Sequence, residues 1–266
     1  MQGFILSNSQ IIRDKVTQLM FQGRLSDGRR FHWTVTRPGL VFFIDRDKNL
    51  VPPGAFRKSL DLRNLRGKPV DALYFHTTSE LIRARQACGS HSIPTYEADV
   101  NLVSRFLMER FIKGGVFFKS QPVKIENNTF YFLDPKVKGT DFAPVLKLLS
   151  IDIECSLEID LYSVAIYGDN LETVLMVDPD HKNKSSEYQS FRNEKELLSA
   201  FFRIVHEYDP DAFIGWNLIG FDLQWLSQKC TALGIKFEIG TDGPAELLAP
   251  GTLFNQGLCC RHQFPT

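Results

Sequence analysis

The 266-residue chain is defined first by what it lacks. It has no apolar run long enough to span a bilayer, and no basic stretch followed by an apolar core at its N-terminus. Its sequence therefore offers no membrane segment and no secretory leader. There is no internal repeat and no low-complexity tract. Its five cysteines, Cys88, Cys155, Cys230, Cys259 and Cys260, are odd in number and lack framework spacing. That pattern argues for free thiols in a reducing compartment rather than a disulfide scaffold. The adjacent Cys259-Cys260 pair has no second ligand pair to make a zinc site. His32, His76, His91, His181 and His206 stand at no telling spacing from a Ser or Cys nucleophile, so ordinary structural roles are the expectation for each.

Charge also sums to nothing, with 31 basic and 31 acidic side chains, but the zero hides a division. Residues 1–147 hold 23 basic against 13 acidic side chains, a net of +10, and residues 148–266 hold 8 against 18, a net of −10. A basic half suits a polyanionic partner, and an acidic half with embedded carboxylates suits cations. A two-part chain is expected.

In the first part, Val16–Leu25 and Arg29–Thr36 flank Ser26-Asp27-Gly28 as a hairpin. Leu40–Ile44 reads as a core strand. A strand at Val70–His76 leads into a helix from Ser79 that Gly89 should stop, and a second helix is expected over Leu102–Ile112. A further hairpin, Pro122–Phe132, should turn at Asn127-Asn128. Arg24, Arg29, Arg30 and Arg37 lie among Phe31 and Trp33. Such interleaving suits single-stranded nucleic acid, but at this spacing an aromatic core face backed by a charged solvent face is the better reading.

Beyond Pro144 three apolar strands follow one another, Ser150–Cys155, Leu161–Ile166 and Thr173–Val177, as an antiparallel meander. A polar loop, an amphipathic helix over Asn193–Tyr208, a short strand at Ala212–Trp216 and a helix over Gly220–Leu233 complete the order. Gly234 should stop the last helix. Phe201, Phe202 and Trp225 are core candidates. This is a mixed α/β (α+β) layer rather than a doubly wound nucleotide fold.

The chemistry sits in two places. Along Ile151-Asp152-Ile153-Glu154, alternation puts both isoleucines on one face and both carboxylates on the other. Paired carboxylates in an apolar strand repel one another, and a hard divalent cation removes that cost. A strand end whose carboxylates simply face water would look the same. The second place is Gly215-Trp216-Asn217-Leu218-Ile219-Gly220-Phe221-Asp222, a strand-to-helix corner that delivers Asp222 near the positive end of a helix.

Together with Tyr208-Asp209-Pro210-Asp211, these stretches resemble the 3′→5′ proofreading exonuclease of family B DNA polymerases: Asp152-x-Glu154 matches its first motif and Asn217-x-x-x-Phe221-Asp222 its second. Thr95–Val100 and Arg105–Ile112 are similar to the bacterial polymerase II group of that family. The resemblance covers about residues 1–240. It implies a mixed-β N-terminal polymerase-associated domain (1–147), an incomplete RNase H-like exonuclease domain (148–240) and an irregular tail (241–266) that includes Cys259, Cys260 and His262. It further implies a two-metal site for Mg²⁺ or Mn²⁺, with Asp152, Glu154 and Asp222 as catalytic ligands, and Asn217 and Phe221 as contacts to the 3′-terminal nucleotide. The implied partners are DNA, as a single-stranded 3′ end and a primer–template, and a sliding clamp reached through a C-terminal region this chain does not contain; the implied setting is the bacterial cytoplasm.

Two departures bear on activity. The family's third motif, Tyr-x-x-x-Asp, has no counterpart, since no tyrosine follows Tyr208. The polymerising palm has none either, because Tyr167-Gly168-Asp169 lacks a second aspartate and sits inside the meander. On this basis weak or absent cleavage by the chain itself is expected. A non-catalytic nucleic-acid-binding or scaffold module, built on the basic first 147 residues, remains the alternative.

Overall fold

The computed structural model describes residues 1–156, 160–180 and 188–239. The chain folds as two compact units, Met1–Pro144 and Val145–Thr266.

The first unit carries strands β1 (Gln2–Arg13), β2 (Val16–Leu25), β3 (Arg30–Val35), β4 (Leu40–Asp45), β5 (Phe56–Arg63) and β6 (Pro69–Phe75). Then come helix α1 (Thr78–Ser90), β7 (Thr95–Tyr96), helix α2 (Leu102–Met108), β8 (Gly115–Phe118), β9 (Lys124–Glu126), β10 (Thr129–Leu133) and β11 (Val137–Gly139). Two sheets result, ordered β11-β8-β1-β2-β3-β10-β9 and β5-β6-β4-β7. Strict alternation along β2 and β3 puts Leu19, Phe21, Phe31 and Trp33 into the core. Trp33 stacks on Phe21 with ring centroids 4.5 Å apart. Phe31 and Trp33 are thus the aromatic core face, sealed from any base. The β9–β10 hairpin turns where expected, with Asn127 and Asn128 at φ 47° and 61°, the left-handed pair a two-residue turn demands.

The helix ends differ from expectation. Gly89 lies inside α1, which ends at Ser90 and is opened by Thr77 and Glu80, each side chain bonding the other's backbone N–H. α2 stops four residues before Ile112. There the Ile112 N–H returns to the Leu107 carbonyl at 2.9 Å, the Phe111 N–H returns to Met108 at 3.0 Å, and Phe111 takes φ 54°. This is a Schellman turn. Its left-handed position holds a phenylalanine where glycine is usual, which hid the stop, and the reversal buries Ile112.

Asp71 on β6 is buried and receives Arg46 Nε at 2.8 Å and Arg57 Nε at 2.9 Å. Burial pushes its carboxyl up, but the hydrogen bonds from the two guanidiniums outweigh burial and hold it below the usual 3.8. A depressed carboxylate contributes stability that is complete above the unfolded value and is lost as pH falls through the folded one. Asp71→Asn should therefore cost about 2–3 kcal/mol at pH 7. It should also flatten the loss of Tm on acidification below pH 3.8. An unchanged acid limb in thermal scans would refute this role.

The second unit holds β12 (Leu148–Cys155), β13 (Leu161–Gly168), β14 (Leu171–Val177), β15 (Tyr188–Phe191), α3 (Glu194–Tyr208), β16 (Ala212–Ile214) and α4 (Asp222–Leu233). The sheet runs β15-β14-β13-β12-β16. β12, β13 and β14 form the expected antiparallel meander, and β16 joins β12 in parallel. β15, expected as loop, adds a parallel edge to β14. Leu149, Ile151 and Ile153 share one core with Leu197, Leu198 and Phe201 of α3 and Leu223 and Leu226 of α4. Gly234 ends α4 at φ 64°, as expected. Residues 241–266, with Cys259, Cys260 and His262, lie outside the described residues. No helix among the described residues is long and apolar enough to cross a membrane.

Candidate active site

The site begins with the pairing of β12 and β16, which the Tyr208–Asp211 stretch locks in place. The Tyr208 hydroxyl donates to the Leu148 carbonyl at 3.0 Å and accepts the Asp169 N–H at 2.7 Å. Gly168 leaves room for that ring, since a Cβ there would stand 2.7 Å from the Tyr208 hydroxyl. Tyr167-Gly168-Asp169 thus serves as a strand end that receives Tyr208. The Asp211 carboxylate accepts the Lys147 N–H at 2.9 Å, and the Asp211 N–H donates back to the Lys147 carbonyl at 2.7 Å.

β16 ends opposite Ser150, so β12 runs on beyond its parallel neighbour with Ile151 and Ile153 buried and Asp152 and Glu154 exposed. The chain leaves β16 through Gly215, where a Cβ would lie 2.7 Å from the Ile151 carbonyl. Only glycine lets the corner approach β12 so closely. Asn217 then adopts φ 50°, and its carbonyl accepts the Phe221 N–H at 2.8 Å. This turn starts α4 at Asp222, two residues later than the sequence suggested.

Asp222 is 2% exposed, and its Oδ1 accepts the Ile153 N–H at 3.3 Å, between the two strand carboxylates. Burial pushes its carboxyl above the ordinary value. The charge of Asp152 pushes the same way, and backbone hydrogen bonds offset only part. Burial also raises the Cys155 thiol, helped by the charges of Glu154 and Asp222. Cys155 is thus held as a neutral thiol beside the carboxylates and is a poor nucleophile. The three sequence-predicted carboxylates thus stand at the same end of β12, Asp222 buried on the Ile153 N–H and Asp152 and Glu154 exposed on either side of it in sequence. Among the described residues no group of three His, Cys, Asp or Glu is drawn tightly enough to hold a metal, and Asp152 and Glu154 point toward water.

Asn217 is exposed and Phe221 is 45% exposed on the same corner. The sequence reading passed over their neighbour Trp216, which is 92% exposed. A tryptophan at the strand-to-helix corner, directly before Asn217, was the available signal. An open groove of about 670 Å³ along the start of α3, lined by Phe191, Lys195 and Arg203 among others, contains none of these carboxylates.

Residues 93–246 match the family model for the exonuclease domain of DNA polymerase family B, more than half of the chain. The chain belongs to DNA polymerase family B. This family B chain is 32% identical over 190 residues to DNA polymerase II of Escherichia coli, covering 69% of the chain and 23% of that relative. It is 29% identical over 187 residues to a DNA polymerase of Thermococcus kodakarensis, covering 66% of the chain and 10% of the relative. Its fold matches the family B DNA polymerase of Pyrobaculum calidifontis with a TM-score of 0.77 at 18% identity, over 94% of the chain and 35% of that structure. The chain thus spans about a quarter or less of the curated relatives named here. The family match begins before β7 in the first unit and runs past α4, so both acidic motifs fall within it. The mixed α/β class expected from the sequence is the class found.

Proposed function

We propose that this chain forms part of a template-directed DNA polymerase and that its second unit supplies metal-dependent 3′→5′ proofreading. The observation that carries this reading is the seating of Asp222 on the Ile153 N–H, between Asp152 and Glu154. Three hard oxygen donors at one strand end, one of them buried and repelled by its neighbour, are the donor chemistry that a divalent cation such as Mg²⁺ or Mn²⁺ takes, once the two exposed carboxylates turn toward it. Asp152, Glu154 and Asp222 would hold it. Two such ions, when bound, lower the pKa of an attacking water and neutralise charge on the scissile phosphate.

The chain's own residues do the rest. Rigid seating of Asp222 fixes one donor without further ordering, whereas Asp152 and Glu154 reorient from water. Phe221 offers an apolar face to the 3′-terminal nucleotide, and Asn217 a hydrogen-bonding amide beside it. Trp216 extends that face, since bases stack on exposed aromatics regardless of sequence. The substrate would be a frayed single-stranded 3′ end of chromosomal DNA in a bacterial cytoplasm. Any contact to a sliding clamp would be made by other parts of the polymerase.

The test is release of nucleotides from single-stranded DNA labelled at its 3′ terminus, with Mn²⁺, with Mg²⁺ and with chelator. Slow digestion from the 3′ end that stops with chelator is expected, alongside Mn²⁺ binding by calorimetry. A chain that neither binds Mn²⁺ nor releases nucleotides would overturn the proposal.

A further inference from the structure

The first unit carries most of the chain's positive charge, and the β5–β6 hairpin displays it in an unusual form. Residues 56–68 contain five cations, Arg57, Lys58, Arg63, Arg66 and Lys68, against one carboxylate, Asp61. Arg57 is spent on Asp71. Arg66 and Lys68 are exposed and make no ion pair among the described residues.

The tip is built rather than loose. Asn64 Oδ1 accepts the backbone N–H groups of Arg66 and Lys68 at 2.9 and 3.0 Å. Asn64 Nδ2 donates to buried Asp45 at 2.9 Å and to the Tyr96 hydroxyl at 3.0 Å, and that hydroxyl donates to Asp45 at 2.9 Å. Arg63 Nη1 closes the turn on the Gly67 carbonyl at 2.8 Å, with Gly67 at φ 77°. The network fixes Leu65 at the apex, wholly exposed, and Phe56 and Leu62 stand exposed along the same strand edge.

A lone exposed leucine needs no explanation, but a rigid apolar apex ringed by unpaired cations has a chemistry. The cations suit phosphates. The apex is aliphatic, so it offers no ring for stacking unpaired bases, yet it suits the sugar walls and base steps of a minor groove. We propose that this tip docks on double-stranded DNA, with Arg66 and Lys68 on backbone phosphates and Leu65 in the minor groove. The inference deepens the polymerase reading, for which a duplex contact is needed, and does not depend on the carboxylate site.

The experiment is fluorescence anisotropy of a short labelled duplex with the full chain, in chelator, across a salt series. Arg66→Gln with Lys68→Gln is expected to weaken binding at least tenfold at low salt. It should also lower the slope of log affinity against log salt by about 2, roughly one unit per phosphate contact. Leu65→Asn should weaken binding with the slope unchanged. Lys113→Gln with Lys136→Gln changes the net charge equally at other exposed positions and should weaken binding less than threefold. All these side chains are exposed, so Tm should hold. Equal losses in both pairs would overturn the proposal, as would undetectable duplex binding. Tighter binding of a single strand of the same length, lost through the same pair, would overturn it too. Because chelator is present here, duplex binding through this tip in a chain that neither binds Mn²⁺ nor releases nucleotides in the 3′-end assay would leave the inference standing and sink the nuclease reading.

Discussion

Asp152→Ala is expected to lower metal-dependent release of nucleotides from a 3′ end about 10³-fold and to abolish Mn²⁺ binding, with the fold intact. A metal-based stabilisation of several kcal/mol, at 1.36 kcal/mol per decade of rate, sets that size. Structure gives the reason for sparing the fold. Asp152 is exposed on β12, the core-facing partners of that strand are Ile151 and Ile153, and among the described residues its side chain anchors no other element. Its electrostatic effect on folding runs the other way. The Asp222 carboxyl is raised by burial and by Asp152, so its ionised form costs stability above the folded pKa. Removing Asp152 relieves part of that cost, and Tm at neutral pH should stay level or rise. Loss of activity with a fall in Tm would mean a structural role instead. Full activity in Asp152→Ala would remove this aspartate from the chemistry.

What the sequence disclosed follows physical range. Alternation is local, so the opposed faces of Ile151/Ile153 and Asp152/Glu154 were legible, as were the Asn127-Asn128 turn and the Gly234 helix stop. Phe31 and Trp33 were legible only as a pair of possibilities, because interleaved aromatics and arginines look alike whether the rings face a core or a base. Burial decided it. Features set by distant contacts were not legible. β15 exists because β14 offers a free edge, and its own four residues are unremarkable. The α2 stop depends on burying Ile112 against a core assembled from other strands. At the site, the spacing of Asn217, Phe221 and Asp222 was readable, but the seating of Asp222 on the Ile153 N–H was not. That contact spans 69 residues and needs the β12–β16 register and the close approach at Gly215. Trp216 escaped because a tryptophan beside a short buried strand reads as core until its exposure is known.

Phe201→Ala should be among the most destabilising single changes in the second unit, at about 3–5 kcal/mol. The ring is 0% exposed on α3, which packs against β13, β14 and β15. It shares the core with the isoleucines behind Asp152 and Glu154 and with the α4 leucines behind Asp222. Truncation would leave a cavity under the same sheet that aligns the carboxylates, and close packing elsewhere limits collapse into it. Phe201→Leu keeps most of the volume and should cost about 1.5 kcal/mol or less. Hydrogen exchange read by mass spectrometry separates the two units. In Phe201→Ala, peptides between 148 and 239 should exchange at least a hundredfold faster, whereas peptides from the Trp33 core of the first unit should keep their protection. Phe201→Leu should restore most of the protection together with the Mn²⁺ affinity. Unchanged exchange across α3 and β12 in the alanine variant would show that the ring contributes little to holding this sheet. Accelerated exchange with undiminished Mn²⁺ affinity would show that the carboxylates keep their places without it.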